Sequence, residues 1–321
     1  MKVFITQEIP EAGPKLLKEA GYDVEVAPQD GVIDRAALLE AVKGVDAILP
    51  MLTEKIDDEL LDAAGDSLKV VANYAVGFNN IDVAALKKRG VVGTNTPDVL
   101  TDAVAEHAIA LMMTAARRVA EGDRFTRAGK YKGWGPMMLL GRSMIGKKIG
   151  IVGLGRIGSR VAEIAHNGFG MEVHYYDIAR VEAFEKSVNA TFHADVDSVL
   201  KVADYVSIHV PLLPTTQHLI NADRLKEMNS EAFLINTSRG PVVDEVALVE
   251  ALKTGQIAGA ALDVLENEPA LAPGLAELEN VVLTPHIASG TIETRSAMAE
   301  LAAKNIIAVL SGKDPLTPVT K

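Results

Sequence analysis

Four polar side chains follow predicted buried strands in the second half of the chain, each at the point where a strand ends. They are His209, Arg239, Asp263 and His286. Ligands of open α/β sheets bind outside the carboxyl ends of the strands, so these positions predict a site. Histidine is the side chain best able to exchange a proton near neutral pH. His286 is therefore the predicted acid/base, and Glu268 is the candidate carboxylate that would fix its ring and favour its protonated form.

Arg239 supplies a rigid fork of donors that suits a carboxylate or a polarised carbonyl. The alternative, a structural ion pair, is disfavoured because the preceding strand delivers this side chain to the predicted site. Together with a nicotinamide, these groups would carry out one reaction. His286 would give a proton to the alkoxide that develops as a ketone accepts hydride, and Arg239 would bind the neighbouring carboxylate. The predicted substrate is a small 2-keto acid, and the reverse reaction would oxidise a 2-hydroxy acid.

The spacing of three glycines indicates the nucleotide that such a reaction needs. Gly153, Gly155 and Gly158 follow a predicted strand and open a predicted helix, an arrangement typical of dinucleotide binding. Asp177 ends the next strand, where a carboxylate can accept the ribose hydroxyls of adenosine and repel the extra phosphate of NADP(H). A purely structural turn would leave Asp177 without a purpose. NAD(H) is therefore the preferred cofactor, and Arg180, which could accept that phosphate, leaves NADP(H) possible.

The composition excludes several classes of function. The chain has 321 residues and a net charge of −11, so nucleic acid and anionic membranes are disfavoured as partners. It has no cysteine, which excludes disulfides, thiolate catalysis and cysteine–zinc sites, and no metal is predicted. Its first apolar run is too short for a signal peptide, and no apolar stretch is long enough to span a bilayer. These features predict a cytoplasmic enzyme.

Strand and helix patterns alternate along most of the chain, which predicts an α/β architecture with parallel sheets covered by helices on both faces. The predicted strands are 3–6, 24–27, 47–50, 70–74, 91–94, 149–152, 173–176, 191–193, 205–209, 233–236, 258–262 and 281–284. A single long helix is predicted over 101–128, and a last helix is predicted over 293–310.

A glycine-rich loop is predicted over 128–147, and it holds the only tryptophan, Trp134. The indole either anchors this loop to the surface or forms an aromatic wall of the active site, and the sequence favours neither. Met51 and Leu52, which follow the third strand, are the other candidate walls of the substrate pocket.

These residues resemble those of the D-2-hydroxyacid dehydrogenase family, and the likeness spans nearly the whole chain. The motifs that carry it are 76–82, 153–158, 236–240, 263–269 and 284–289. Within the family, residues 74–77 and 134–136 are similar to those of glyoxylate/hydroxypyruvate reductases. There are departures: Asn79 stands where the family often has Asp, and Leu213 stands where it often has Thr. Formate dehydrogenases have Gln at the position of Glu268, which makes formate a poor candidate substrate.

The resemblance implies roles for individual residues. The implied catalytic residues are Arg239, Glu268 and His286. The implied substrate contacts are Arg239, His286 and the N–H groups of Val76 and Gly77. The resemblance places Asp263 at the nicotinamide amide. The full set of implied cofactor contacts is Gly153, Gly155, Arg156, Ile157, Gly158, Asp177, Val210, Pro211, Thr216, Thr237, Ser238, Arg239, Asp263, His286 and Ala288.

The resemblance also implies two doubly wound domains joined by two hinges. The expected flavodoxin-like substrate domain is 1–98 plus 288–321, and the expected Rossmann NAD-binding domain is 99–287. Family members are usually homodimers that embrace through the helix matching 101–128. The implied activity is NAD(P)H-dependent reduction of small 2-keto acids to D-2-hydroxy acids. The alternatives are D-lactate or another D-2-hydroxyacid dehydrogenase and, on the same fold, a dinucleotide-sensing scaffold that is not an enzyme.

Overall fold

The chain divides into two compact units in the computed structural model, which describes residues 1–28 and 31–320. The first unit is Met1–Leu100 with Ser289–Lys321, and the second is Thr101–Ala288. Each unit contains its own parallel sheet, so the predicted α/β class with two parallel-sheet units is confirmed. The functions predicted for the two units are not decided by this division.

The first unit is a doubly wound sheet with helices on both faces. Its strands are β1 (Lys2–Ile5), β2 (Asp23–Val26), β3 (Ala47–Leu49), β4 (Val70–Ala72) and β5 (Val92–Thr94). Its helices are α1 (Ala12–Glu19), α2 (Arg35–Ala41), α3 (Asp58–Ala64), α4 (Val83–Arg89) and α12 (Ile292–Leu310). The strand order, β2-β1-β3-β4-β5, is the flavodoxin-like order.

The second unit contains a larger parallel sheet of seven strands. Its strands are β6 (Lys148–Val152), β7 (Glu172–Tyr176), β8 (Thr191–His193), β9 (Tyr205–Ile208), β10 (Phe233–Asn236), β11 (Gly259–Leu262) and β12 (Val281–Leu283). Its α-helices are α5 (Thr101–Ala116), α6 (Val119–Arg127), α7 (Arg156–Phe169), α8 (Glu182–Val188), α9 (Val196–Val202), α10 (Ala222–Glu227) and α11 (Glu245–Lys253). The order β12-β11-β10-β9-β6-β7-β8 is that of a Rossmann fold, with its switch point between β6 and β9.

The central strands of the second unit explain the continuous apolar runs in the sequence. Strands β9, β10 and β11 are buried along their whole lengths. Successive residues of β10 enter different apolar clusters: Ile235 packs in the cluster that contains Met112 of α5, whereas Leu234 packs in the cluster that contains Leu248 of α11. Both faces of the sheet are therefore covered, as expected for parallel strands.

The prediction of one helix over 101–128 is wrong, because the helix breaks at Arg118. This residue has a left-handed backbone with φ of 54°, and its side chain pairs with Glu121 of α6 at 2.6 Å. The end of α5 is capped from the following loop, where the Arg142 N–H donates to the carbonyl oxygen of Ala116 at 2.8 Å. A side chain at Gly141 would overlap that same carbonyl. The break thus depends on a loop more than twenty residues away.

The twelve predicted strands and the last helix, which begins at Ile292, agree with the structure to within one or two residues at their ends. Within the described ranges 1–28 and 31–320, no helix is both long enough and apolar enough to cross a membrane.

Substitution of two glycines that lie in helices tests the contact between α1 and α12. A methyl group added at Gly13 of α1 would lie 2.7 Å from the Ala299 carbonyl oxygen of α12, whereas at Gly168 of α7 it would meet nothing within 4 Å. We expect Gly13→Ala to lower the free energy of unfolding by about 1–3 kcal/mol. The matched control, Gly168→Ala, should raise it by about 0.5–1 kcal/mol, because alanine favours a helix. Equilibrium urea unfolding measures both, and equal stability of the two variants would contradict the helix contact.

Candidate active site

The glycine turn after β6 has the shape that a dinucleotide needs. Gly153 has φ of +97°, and a side chain there would lie 2.8 Å from the backbone of His209. A side chain at Gly158 would overlap the Gly153 carbonyl oxygen. At Gly155, in contrast, an added methyl group would meet nothing within 4 Å, so the backbone is open to a ligand at the start of α7. This openness fits the pyrophosphate of a dinucleotide, which approaches the backbone at that glycine.

Asp177 has a structural role that the sequence did not reveal. Its Oδ2 accepts a hydrogen bond from the Leu154 N–H at 2.7 Å, and this bond ties the end of β7 to the glycine turn. The expectation that a purely structural turn would leave Asp177 without a purpose is therefore wrong. Its predicted contact with the ribose hydroxyls stays a prediction, because the bond to Leu154 supports the turn whether or not a nucleotide binds.

Arg180, the candidate partner for an extra phosphate, is held by Glu185 of α8. Its Nε and Nη2 donate to the two carboxylate oxygens at 2.8 and 2.7 Å. The Tyr175 hydroxyl donates to the same carboxylate at 2.7 Å. These bonds, led by that of Arg180, lower the pKa of Glu185 to about 2. Arg180 is thus already engaged by a carboxylate, which favours NAD(H) over NADP(H).

Arg239 stands on a tight turn after β10. The Asn236 side chain builds this turn, because its Oδ1 accepts from the N–H and the hydroxyl of Ser238 at 3.0 and 2.8 Å. Its Nδ2 donates to the Arg239 carbonyl oxygen at 3.0 Å. Burial acts to lower the pKa of Arg239, and the charge of Glu268 opposes this effect.

Close backbone packing joins the Arg239 turn to the segment that carries Glu268. A side chain at Gly240 would overlap the carbonyl of Leu265, so only glycine allows this approach. Two glutamates tie this segment to the start of α11, which follows the turn: the Glu266 N–H donates to Glu245 at 2.6 Å, and the Glu245 N–H donates to Glu266 at 3.1 Å. The segment that carries Glu268 is therefore held against both the turn and the helix.

His286 meets Glu268 through one ring nitrogen. Its Nδ1 lies 3.0 Å from Glu268 Oε2, and the Leu265 N–H donates to the other carboxylate oxygen at 3.1 Å. Burial acts to raise the pKa of Glu268. The hydrogen bonds from His286 and Leu265, together with the charges of His286 and Arg239, outweigh burial, and the pKa is lowered. Because Nδ1 is engaged, Nε2 is the nitrogen left to meet a substrate.

His209, the other histidine that follows a strand, is a poor candidate for the acid. Burial lowers the pKa of His209 to about 3, so its ring is neutral at pH 7.

Asp263 holds the loop on which His286 stands. Its side chain is fully buried, and its two oxygens accept from the N–H groups of Ile287 and Ala288 at 2.9 and 2.8 Å. Its backbone oxygen accepts from the N–H of His286, which has φ of +55°. Burial acts to raise the pKa of Asp263, but its hydrogen bonds outweigh this effect and lower it. The contact of Asp263 with a nicotinamide amide stays a prediction.

His107 joins this network, although nothing in the sequence analysis placed it there. Its Nε2 lies 3.2 Å from Thr284 Oγ1 and 3.3 Å from Asp263 Oδ1. Residue 107 lies within the apolar, alanine-rich sequence of α5, so the sequence offered no reason to assign His107 a role in the site. The one feature of the sequence that could have indicated a role for His107 is its polar side chain on the face of a helix that covers a sheet.

Several other predicted cofactor residues also follow strand ends of this unit. The hydroxyl of Thr216 closes its own loop by donating to the Pro211 carbonyl oxygen at 2.6 Å. Val210 lies beside Gly153, and Arg156 and Ile157 begin α7. Thr237 Oγ1 is buried and has no hydrogen-bond partner among the residues that the structure describes. An orphaned hydroxyl next to Ser238 fits a bound ligand that would complete it.

Two predicted substrate residues of the first unit, Val76 and Gly77, are held through their carbonyl oxygens. Asn95 Nδ2 donates to Val76 at 2.8 Å, and the buried Asn73 donates to Gly77 at 2.9 Å. Neither amide N–H of this pair donates a hydrogen bond within residues 1–28 and 31–320. This leaves both N–H groups available to an anion, but their contact with substrate stays a prediction.

Met51, a predicted pocket wall, is nearly buried, whereas Leu52 is partly exposed. The Met51 N–H donates to Glu54 at 2.5 Å, and the Met51 carbonyl oxygen accepts from Asn80 at 3.2 Å. The sequence did not identify these polar supports, which include the buried Glu54 carboxylate. The role of Met51 and Leu52 as walls stays a prediction.

Trp134 does not anchor its loop. The side chain is 83% exposed, so the interpretation of the indole as a surface anchor is wrong. The same segment exposes other large apolar side chains: Tyr131, Met137, Leu140 and Ile145. Its alternative role as a wall of the active site stays a prediction.

A Rossmann unit that carries an Arg, Glu and His set at its strand ends, in a chain with a flavodoxin-like unit, defines the class of NAD(P)-dependent dehydrogenases. A family model for the NAD-binding domain of D-isomer specific 2-hydroxyacid dehydrogenases matches residues 109–288. The chain belongs to this family.

Full-length relatives support the assignment. The chain is 50% identical to a glyoxylate reductase of Pyrococcus horikoshii, over all of this chain and 96% of that one. A solved structure of a Thermus thermophilus protein is 43% identical, with a TM-score of 0.92 over 99% of this chain and 100% of that one. An NADPH-dependent glyoxylate/hydroxypyruvate reductase of Sinorhizobium meliloti is 34% identical, with a TM-score of 0.87 over 99% and 96% of the two chains.

The pairing of His286 with Glu268 yields a kinetic prediction. Glu268→Gln keeps the size of the side chain but removes the charge that stabilises a protonated imidazole. We expect kcat for keto-acid reduction to fall by about 100-fold, with the dissociation constant of NADH changed little. Steady-state kinetics and NADH fluorescence titration measure the two effects, and an unchanged kcat would remove this role.

The same variant has a pH signature. The folded-state pKa of Glu268 lies below its usual value of 4.5, so the carboxylate stabilises the fold above that pH and loses this contribution as the pH falls through the folded value. The difference in unfolding free energy between the parent and Glu268→Gln should therefore be largest above pH 4.5 and should shrink in acid. A pH-independent difference would contradict the pairing.

Proposed function

We propose that this protein is an NADH-dependent reductase of small 2-keto acids, of the glyoxylate/hydroxypyruvate type, which forms D-2-hydroxy acids. One observation carries the proposal: His286 faces Glu268 through Nδ1, which leaves Nε2 as a proton donor. The glyoxylate reductase of Pyrococcus horikoshii, at 50% identity over this whole chain, supports the choice of substrate class.

The residues of this chain divide the work of the reaction. NADH, when bound, supplies the hydride. Arg239 binds the substrate carboxylate and holds the keto carbon in place. Nε2 of His286 gives its proton to the substrate oxygen as negative charge develops there, and Glu268 stabilises the imidazolium that precedes this transfer. In the reverse direction, the neutral imidazole accepts the proton from the 2-hydroxyl group.

The proposed preference for NADH rests on the segment after β7. Asp177 follows β7 beside the glycine turn, and in the proposed complex its carboxylate accepts the ribose hydroxyls of adenosine. Glu185 pairs with the guanidinium of Arg180, the group that could otherwise accept the extra phosphate of NADP(H). The relative from Sinorhizobium meliloti is NADPH-dependent, which shows that members of the family can use either cofactor. We keep NADP(H) as a weaker alternative cofactor.

Two other functions compete with this one. A D-lactate or other D-2-hydroxyacid dehydrogenase would use the same three residues, and only the substrate pocket would differ. A dinucleotide-sensing scaffold would bind NAD(H) without turnover. The His286–Glu268 pair does not separate these functions, but the 50% identity to a glyoxylate reductase over the whole chain favours an enzyme.

The proposed assembly is a homodimer in the cytoplasm. Its support is the exposed apolar side chains of the segment 131–145, since large apolar patches on a protein surface often mark an interface. Light scattering should give twice the mass of one chain, and a single-chain mass would contradict the dimer.

A panel of keto acids tests the function directly. Oxidation of NADH and of NADPH is followed with glyoxylate, hydroxypyruvate, pyruvate and phenylpyruvate. We expect turnover with glyoxylate and hydroxypyruvate, and a kcat/KM that is higher with NADH than with NADPH. Preference for pyruvate would favour the lactate alternative. Binding of NADH without turnover of any keto acid would favour the scaffold.

A further inference from the structure

The loop that carries His286 needs an external support. His286 has φ of +55°, a left-handed conformation that a residue with a side chain adopts only when its surroundings enforce it. Three consecutive N–H groups, of His286, Ile287 and Ala288, all donate to Asp263. The position of the loop therefore depends on the position of one buried residue, and for two of these bonds on its carboxylate.

The carboxylate of Asp263 is itself positioned from α5. His107 Nε2 lies 3.3 Å from Asp263 Oδ1 and 3.2 Å from Thr284 Oγ1. The Thr284 hydroxyl donates its own hydrogen to Asp263 Oδ1 at 2.6 Å, so towards His107 the hydroxyl oxygen acts only as an acceptor. An ionised carboxylate likewise only accepts. Nε2 of His107 must therefore carry a hydrogen, which it shares between the two oxygens.

Helix α5 is a firm base for this hydrogen bond. Its buried side chains, which include Ala108 and Met112, pack in the same apolar cluster as Ile235 of β10 and Ala261 of β11. His107 thus connects a helix that is fixed on the sheet to Asp263, which directly follows β11. Its side chain is only 20% exposed, so water competes weakly for the bond.

We propose that His107 is a positioning residue for the reaction: its Nε2–H fixes the Asp263 carboxylate and the Thr284 hydroxyl, and through them the loop 284–288 that presents His286. The inference rests on the proposed function for its kinetic consequence, but the support of the loop is a property of the protein without ligands. The hydrogen bond of His107 goes to Thr284 and Asp263, which support the loop and not the substrate carboxylate, so substrate binding should be little affected.

Substitution of His107 by leucine and by glutamine tests this proposal. Leucine suits the helix but removes the donor, and the glutamine amide restores an N–H at a similar reach. We expect His107→Leu to lower kcat about tenfold, since a small displacement of a catalytic group can cost up to about 100-fold. KM for the keto acid and the dissociation constant of NADH should change little. His107→Gln should recover most of kcat, and the neighbouring exposed Glu106→Gln should match the parent.

Hydrogen exchange gives a second readout that needs no turnover. In the protein without ligands, His107→Leu should speed amide exchange in a peptide that contains residues 286–288, and exchange in peptides from β6 and α7 should stay unchanged. The solvent deuterium isotope effect on kcat should also rise, because proton transfer from a displaced His286 becomes slower.

The outcomes separate this inference from the proposed function. A parent that turns over no keto acid overturns the function, and faster exchange at 286–288 in His107→Leu would still support the loop contact. An active parent whose leucine variant has the same kcat and the same exchange overturns the role of His107. A loss of kcat that glutamine does not recover, with faster exchange throughout the second unit, indicates general destabilisation and also overturns it.

Discussion

The buried carboxylate of Asp263 is the constraint on which the candidate site depends. Removal of a charge from water is costly, and such a group is tolerated only when hydrogen bonds replace its hydration. Here the replacements are two backbone N–H groups, the Thr284 hydroxyl and His107. The bonds that satisfy the charge are the same bonds that shape the loop of His286. The loop cannot relax without leaving the carboxylate unsatisfied.

A second constraint brings the partner groups to that loop. The absence of a side chain at Gly240 lets the Arg239 turn lie against the Leu265 carbonyl. The paired glutamates 245 and 266 fasten the segment of Glu268 to the start of α11, and Glu268 lies 3.0 Å from His286. The three groups come from segments that follow three different strands, and a hydrogen bond to backbone helps to position each of them.

Much of this arrangement was predictable from the sequence because it is local. Apolar runs identify buried parallel strands, and the residue after each strand lies at the edge where ligands bind, which selected Arg239 and His286. What was missed depends on distant partners. The contact of His107 with Thr284 spans 177 positions, and the break of the helix at Arg118 depends on a loop beyond α6. The exposure of Trp134 also could not be predicted, because the local sequence does not determine which residues pack on a loop.

The central claim is that Nε2 of His286 donates the proton in keto-acid reduction. The most direct measurement is kcat of His286→Ala with glyoxylate, with the NADH dissociation constant determined on the same sample. The account predicts a loss of kcat of about 100- to 10,000-fold, with the dissociation constant close to that of the parent, because the glycine turn and Asp177 are untouched. An alanine variant that keeps the kcat of the parent would contradict the account.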